Sequence, residues 1–97
     1  MKVMITRSPN RTKKWRATGP GFTVNFGAKG YEDYTMHHDP ERKRRYIIRH
    51  QRHENWSDPR TAGFWSRWLL WEEPSLAAAA RKIKRSFRFD VVLHSRN

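Results

Sequence analysis

Apolar and polar residues alternate in several short segments, which is the pattern of strands with one buried face. The clearest case is the set Phe22, Val24 and Phe26, whose members are separated by polar residues. Four segments are predicted to be strands: residues 3–7, 13–18, 22–26 and 87–93. Turn signals at Ser8-Pro9-Asn10 and Gly19-Pro20-Gly21 separate the first three. A small antiparallel sheet of three N-terminal strands plus a C-terminal strand is the simplest assembly.

Two helices are predicted from a repeated start signal in the middle of the chain. Asp39-Pro40-Glu41 supplies a capping side chain, a proline suited to the first turn, and an acidic residue for the positive end of the helix dipole. A helix should therefore run from about residue 40 to 53. Asp58-Pro59 repeats the signal and predicts a second helix that ends at about residue 70 or 71.

A third helix is predicted after Ser75, which can cap it, and should extend through an alanine run to about Ser86. Strands followed by helices and a closing strand indicate an α+β fold with about three helices. The length fits one basic domain over residues 1–97, and we expect residues 95–97 to be frayed.

Aromatic residues are concentrated in the predicted second helix. Trp65, Trp68 and Leu69 fall at helical spacing with Phe64 beside them, which favours a core stripe over a platform for stacking bases. Trp71 lies off that stripe. It is therefore the candidate for an exposed aromatic anchor that docks against a partner.

Charge narrows the classes of partner. The 97 residues include 21 Lys and Arg against 9 Asp and Glu, which gives a net charge of +12. Polyanions are the natural partners of such a chain: nucleic acid, acidic protein surfaces or anionic lipid headgroups. There is no cysteine, so disulfides and thiol catalysis are excluded. The longest nearly apolar stretch, residues 63–71, contains Arg67 and is far shorter than the roughly 20 residues that a membrane span needs, so we expect no transmembrane segment.

Basic side chains are densest on the predicted first helix, where one Glu offsets six Lys and Arg residues. Arg presents a planar fork that matches phosphate and carboxylate, so this helix is predicted to bind anions, although a solvated surface is the alternative. Flanking basic stretches extend the prediction. The candidate anion- or partner-binding residues are Arg42, Lys43, Arg44, Arg45, Arg49, Arg52, Lys13, Lys14, Arg16, Arg81, Lys82 and Arg85.

Catalysis has little support in the sequence. It contains no glycine-rich phosphate loop and no nucleophile motif, so we expect no enzyme, no cofactor and no small-molecule substrate. His50 and His53 lie one helical turn apart and could bind a metal jointly. A zinc site needs further ligands placed by the fold, so we favour capping and surface roles and expect no metal.

Residues 22–87 resemble a family of small basic proteins encoded by large nucleocytoplasmic DNA viruses, such as mimivirus-like and chlorella-virus-like agents. The most specific matching run is Ala62-Gly-Phe-Trp-Ser-Arg-Trp-Leu-Leu-Trp71. Other matching runs are Asn25-Phe-Gly-Ala-Lys-Gly-Tyr-Glu-Asp-Tyr-Thr35 and His38-Asp-Pro-Glu-Arg-Lys-Arg-Arg-Tyr46. The resemblance implies a viral origin and a component of the virion, and it carries over no catalytic residue.

Charge without catalytic chemistry, together with this resemblance, predicts a minor structural protein of a large DNA virus particle. It would be a capsid-associated protein that cements larger shell proteins, or other acidic protein surfaces, through arginines and Trp71. It would be located in the virion, and in the host cell interior during assembly. One alternative is a sequence-tolerant nucleic-acid-binding protein that packages or coats the viral genome as double-stranded DNA. Another is an adaptor for acidic host proteins.

Overall fold

Residues 1–94 are described by the computed structural model, and the predicted fraying of residues 95–97 lies outside that range. The elements follow in chain order: β1 (Lys2–Arg7), β2 (Lys13–Gly19), β3 (Phe22–Ala28), α1 (Tyr34–His37), α2 (Pro40–His50), α3 (Ala62–Trp65), α4 (Leu76–Phe87) and β4 (Asp90–Leu93). A π-helical turn over Ser66–Leu70 extends α3 directly. The predicted α+β class is confirmed.

The four strands form one sheet in the order β3-β2-β1-β4. β1 pairs antiparallel with β2, and β2 pairs antiparallel with β3. β4 pairs parallel with β1, with Val3 opposite Val91, so the sheet is mixed and the prediction of an antiparallel sheet is wrong for this strand. Parallel pairing needs a long crossover, and the helices between β3 and β4 carry the chain from one edge of the sheet to the other.

The core lies between one face of the sheet and the segment from α3 to α4. The alternation in the strands places one set of side chains inward, as predicted, and the helices cover them. The fully buried large side chains are Val3, Ile5, Phe26, Phe64, Trp65, Leu69, Leu70 and Ile83. Trp68 packs against this cluster from its margin. The predicted core stripe of the Trp-rich helix is therefore confirmed.

Local capping explains where the helices begin. Asp39 accepts hydrogen bonds from the backbone N–H groups of Glu41 and Arg42, so α2 begins at Pro40 as predicted, but it ends at His50 rather than residue 53. Ser75 accepts from the N–H of Ala78 and caps α4. These contacts satisfy amides that have no partner inside the helix.

The predicted start of the second helix at Asp58-Pro59 is wrong. The Asp58 carboxylate accepts from the N–H and the side chain of Arg60 in a tight turn. Thr61 is the cap instead, because its hydroxyl accepts from the N–H of Phe64, and α3 begins at Ala62. The short helix α1, capped by Asp33, was not predicted. Within residues 1–94, none of the helices has the length and apolar character to cross a membrane.

Candidate anion-binding groove

An open groove of about 670 Å³ separates α2 from the neighbouring ends of β2 and β3. Lys13 lies on the strand side, Arg45 and Arg49 lie on the α2 side, and Tyr31 is part of the lining. Small side chains of α3 and the π-helical turn, together with Trp71, form the floor. Aromatic and ionic contacts join α2 to the rest of the molecule beside this groove.

An aromatic stack attaches α2 to the floor of the groove. The rings of Tyr46 and Trp71 are parallel, with centroids 4.3 Å apart, and the His50 ring lies 4.3 Å from Tyr46 on a tilt of 28°. Tyr46 is only 6% exposed, and burial raises the pKa of its hydroxyl well above the usual 10.0. Trp71 is thus partly buried in a stack, and the prediction that it is an exposed anchor is corrected.

A carboxylate closes the far end of this stack. Glu54 lies 3.0 Å from the Nδ1 atom of His50 and accepts a 2.8 Å hydrogen bond from Nε1 of Trp56. A Cβ atom on Gly63 would lie 2.8 Å from an Oε atom of Glu54, so a larger residue there would displace this carboxylate. His50 therefore contacts a carboxylate, while His53 is exposed in the turn that follows α2. No group of three His, Asp or Glu residues that could hold a metal ion occurs in the described part of the chain.

Glycine also brings the strands close to the floor. Gly27 has a φ of +80°, a conformation that side chains disfavour, and a Cβ atom there would lie 2.9 Å from Cδ1 of Leu70. Leu70 belongs to the π-helical turn, in which the N–H of Trp71 donates to the carbonyl of Ser66. Such turns are frequently associated with functional sites. Gly27 is therefore required for the approach of β3 to the floor.

Two of the cations that line the groove are neutralised by carboxylates. Lys14 donates to Asp33 at 2.8 Å, and Asp33 is 3% exposed. Arg42 donates to Glu32 at 2.8 Å, and this hydrogen bond holds the pKa of Glu32 below its usual 4.5. These pairs fix the loop between β3 and α1 against both walls of the groove. Their charge is largely cancelled, so they contribute shape more than attraction for an anion.

Lys13, Arg45 and Arg49 differ from those pairs because none of them forms an ion pair within residues 1–94. Arg45 and Arg49 are four residues apart on α2, so their side chains lie on one face of the helix. Both line the groove opposite Lys13. The groove therefore carries uncompensated positive charge, which an anion would neutralise.

The other predicted site residues lie elsewhere. Lys43 and Lys82 contact Glu72, and Arg44 contacts Glu41. These three cations are engaged in ion pairs, so the structure gives them a local partner.

The remaining cations lie on other surfaces. Arg16 donates to Asn25 at 3.3 Å across the sheet. Arg52 is exposed just beyond the end of α2, and Arg81 and Arg85 are exposed on α4, which contributes no residue to the groove. The groove thus brings together five of the twelve predicted cations: Lys13, Lys14, Arg42, Arg45 and Arg49.

Sequence reasoning missed Tyr31, Gly63 and Ser66 as groove residues. Glycines at positions 27 and 30 are typical of a loop, and they are the local signal that could have pointed to Tyr31. Nothing local indicated Gly63 or Ser66, because their place in the groove lining depends on how α3 and the π-helical turn pack against β3.

Comparison with known proteins adds one match. The model of a family of unknown function (DUF5754) matches residues 3–50, just under half of the chain. That stretch runs from β1 to the end of α2, so it includes both walls of the groove but not its floor. No curated protein and no solved structure matches the chain significantly.

Proposed function

We propose that this protein is a non-catalytic nucleic-acid-binding protein that holds a phosphate backbone in the groove with little dependence on sequence. The observation that carries the proposal is the convergence of Lys13, Arg45 and Arg49 on one groove without a carboxylate partner. Such cations repel one another in the free protein. A chain of phosphates relieves that repulsion at several points at once and releases condensed counterions.

The remaining charges support the same proposal. The net charge of +12 attracts any polyanion, and the guanidinium groups of Arg45 and Arg49 can each donate two parallel hydrogen bonds to a phosphate. The carboxylates in the groove are already engaged: Asp33 by Lys14, Glu32 by Arg42 and Glu54 by His50 and Trp56. They therefore oppose an incoming anion less than free carboxylates would.

The test compares two double variants with the same loss of charge. Arg45→Gln with Arg49→Gln removes the groove arginines. Arg81→Gln with Arg85→Gln removes two exposed arginines at the same spacing on α4, outside the groove. Binding to a labelled random-sequence oligonucleotide is measured by fluorescence anisotropy from about 50 to about 200 mM salt.

We expect the groove variant to lose about 10-fold or more in affinity and to reduce the slope of log K against log salt by about 1.4–1.8, which corresponds to two phosphate contacts. The α4 variant should lose much less, because it keeps the groove. Equal losses in the two variants would show that net charge alone drives binding. A wild-type affinity that does not change with salt would refute phosphate binding altogether.

A second candidate function is the cementing of larger shell proteins in a large DNA virus particle. It is favoured by the presence of exposed cations on two separate surfaces, the groove and α4, because a cementing protein must contact two partners at once. Mass spectrometry of purified, nuclease-treated particles tests it. The protein should be retained after the nuclease step, and its complete loss would contradict a shell location.

A further inference from the structure

Tyr31 stands apart from the other aromatic side chains. It is 72% exposed, whereas every other Phe, Trp or Tyr in residues 1–94 is buried or partly buried. A large apolar ring that is left in water at the lining of a basic groove is available to a partner.

The backbone around Tyr31 is fixed on both sides. Its N–H donates to the carbonyl of Ala28 at 3.3 Å, in a turn that Gly30 makes with a φ of +91°. The next residue, Glu32, is bonded to Arg42 on α2, and the one after it, Asp33, is bonded to Lys14 on β2. The backbone that carries the ring is therefore anchored, so binding has to order only the Tyr31 side chain and not the loop.

We infer that the groove takes a single-stranded stretch of nucleic acid, with one base stacked on the ring of Tyr31 and the adjoining phosphates on Arg45 and Arg49. This inference rests on the proposed function. Exposed aromatic rings beside a basic groove are the means by which proteins bind single strands without reading sequence. In a duplex the faces of the bases are covered by their neighbours, so Tyr31 could stack only on a base at an end or in an unpaired segment.

The size of the groove supports a single strand. Its volume of about 670 Å³ lies in the range of small-ligand sites, roughly 300–1,000 Å³. A site of that size suits one or two nucleotides, whereas a double helix would have to lie across its mouth. Stacking and phosphate contact can then be made together only by an unpaired strand.

The experiment measures displacement of a labelled single-stranded oligonucleotide by unlabelled single-stranded DNA, by duplex DNA of the same sequence and by polyglutamate. It is repeated with Tyr31→Ala, with Tyr31→Phe and with the control Ile48→Ala. Ile48 is also an exposed apolar residue, at 51%, but it is not part of the groove lining. Circular dichroism checks that each variant is folded, which is expected because both side chains are exposed.

We expect the single strand to compete better than the duplex. Tyr31→Ala should weaken single-strand binding about 10-fold, a typical loss for one stacked base, and should weaken duplex binding much less, because a duplex offers base faces only at its ends. Tyr31→Phe, which keeps the ring, and Ile48→Ala should bind as the wild type does.

Four results would overturn the inference. The first is unchanged single-strand affinity in Tyr31→Ala, the second is equal competition by the duplex, and the third is equal competition by polyglutamate. In the first two cases, if the Arg45 and Arg49 variant still loses affinity, the proposed function stands and only the single-strand inference fails. In the third case the groove does not distinguish phosphates from carboxylates, so the proposed function fails as well. The fourth result, an absence of binding to either nucleic acid, would also overturn both proposals.

Discussion

Replacing Glu72 by Gln should be one of the most destabilising single changes among the charged residues of this protein. Glu72 is only 10% exposed and accepts a 2.5 Å hydrogen bond from Nη1 of Arg67. Lys82 donates to the other carboxylate oxygen, and Nζ of Lys43 lies 3.8 Å away while donating to the Glu72 carbonyl. One carboxylate thus compensates three cations from α2, the π-helical turn and α4.

Most of the expected loss of stability comes from leaving the Arg67 guanidinium without its carboxylate partner. The side chain of this arginine is 11% exposed, its guanidinium lies 4.3 Å from the ring centroid of Trp68 and 5.2 Å from that of Trp56, and its Nε has no hydrogen-bond partner. Removing one partner of a buried ion pair costs about 3–5 kcal/mol. Gln keeps the shape and one acceptor, and the two lysines can turn toward water, so we expect a loss of about 2–3 kcal/mol in the free energy of unfolding.

Urea and thermal unfolding, followed by circular dichroism, measure this loss. For a domain of this size it corresponds to a fall in Tm of roughly 10–20 °C. The matched control is Glu73→Gln. Glu73 is more exposed and lies 3.8 Å from Lys82, so its loss should stay within about 0.5 kcal/mol. Equal unfolding midpoints for the two variants would refute the reasoning, because the buried cluster would then be worth no more than a surface pair.

The dependence of the free energy of unfolding on pH in the acid range provides a second test of the same cluster. Burial raises the pKa of Glu72, but hydrogen bonds from Lys82 and Arg67 and the nearby charges outweigh it, so the pKa lies below its usual 4.5. A carboxyl with a depressed pKa stabilises the fold above its unfolded pKa and loses that contribution as the pH falls through its folded pKa. Glu72→Gln should therefore flatten the loss of stability below about pH 4.5, and an unchanged slope would contradict this assignment.

Three further perturbations test other parts of the account. Gly27→Ala should lower the free energy of unfolding in urea by about 1–3 kcal/mol, because its Cβ would strain the backbone and press on Leu70. Gly30→Ala, whose Cβ meets open space, should lower it less. Burial, together with the nearby Arg42 guanidinium, lowers the pKa of His37 below its usual 6.5. The free energy of unfolding should therefore fall as the pH drops below about 6.5, and His37→Asn should remove that fall. Asp39→Ala should cost about 1 kcal/mol, seen in urea unfolding, and should weaken oligonucleotide binding by fraying α2. Equal losses at the two glycines, a pH profile unchanged by His37→Asn, or wild-type stability in Asp39→Ala would each contradict the corresponding step.

Features that depend on neighbouring residues could be predicted from the sequence. The alternation of Phe22, Val24 and Phe26 identified a strand and its inward face, because side chains in a strand alternate sides whatever they pack against. The caps Asp39 and Ser75 were likewise correct, since each acts on amides two or three residues away. The α+β class follows from the order of such elements.

Features that depend on a choice between competing local signals, or on distant residues, could not be predicted. Asp58-Pro59 has the same local signal as Asp39-Pro40, yet the helix begins three residues later, because Arg60 takes the Asp58 carboxylate and Thr61 provides another cap. The parallel pairing of β4 depends on the path of the whole helical segment.

The set of residues that line the groove could not be predicted from the sequence for the same reason. Which cations remain unpaired depends on which ones lie beside a carboxylate. Lys43, for example, contacts Glu72, which is 29 residues away in the chain. Trp71 is stacked because Tyr46 lies over it, a contact between separate helical segments. The sequence could therefore predict that the chain is basic, but not that Arg45, Arg49 and Lys13 would be the ones left facing one groove.

The most direct test of the central claim is to locate the bound nucleic acid on the protein. Backbone amide shifts of ¹⁵N-labelled protein are followed during titration with a short oligonucleotide. The account predicts that the largest shifts lie at residues 13–14, 27–31 and 45–49, the two walls of the groove. Shifts concentrated on α4 around Arg81 and Arg85, or spread evenly over all basic surfaces, would contradict it.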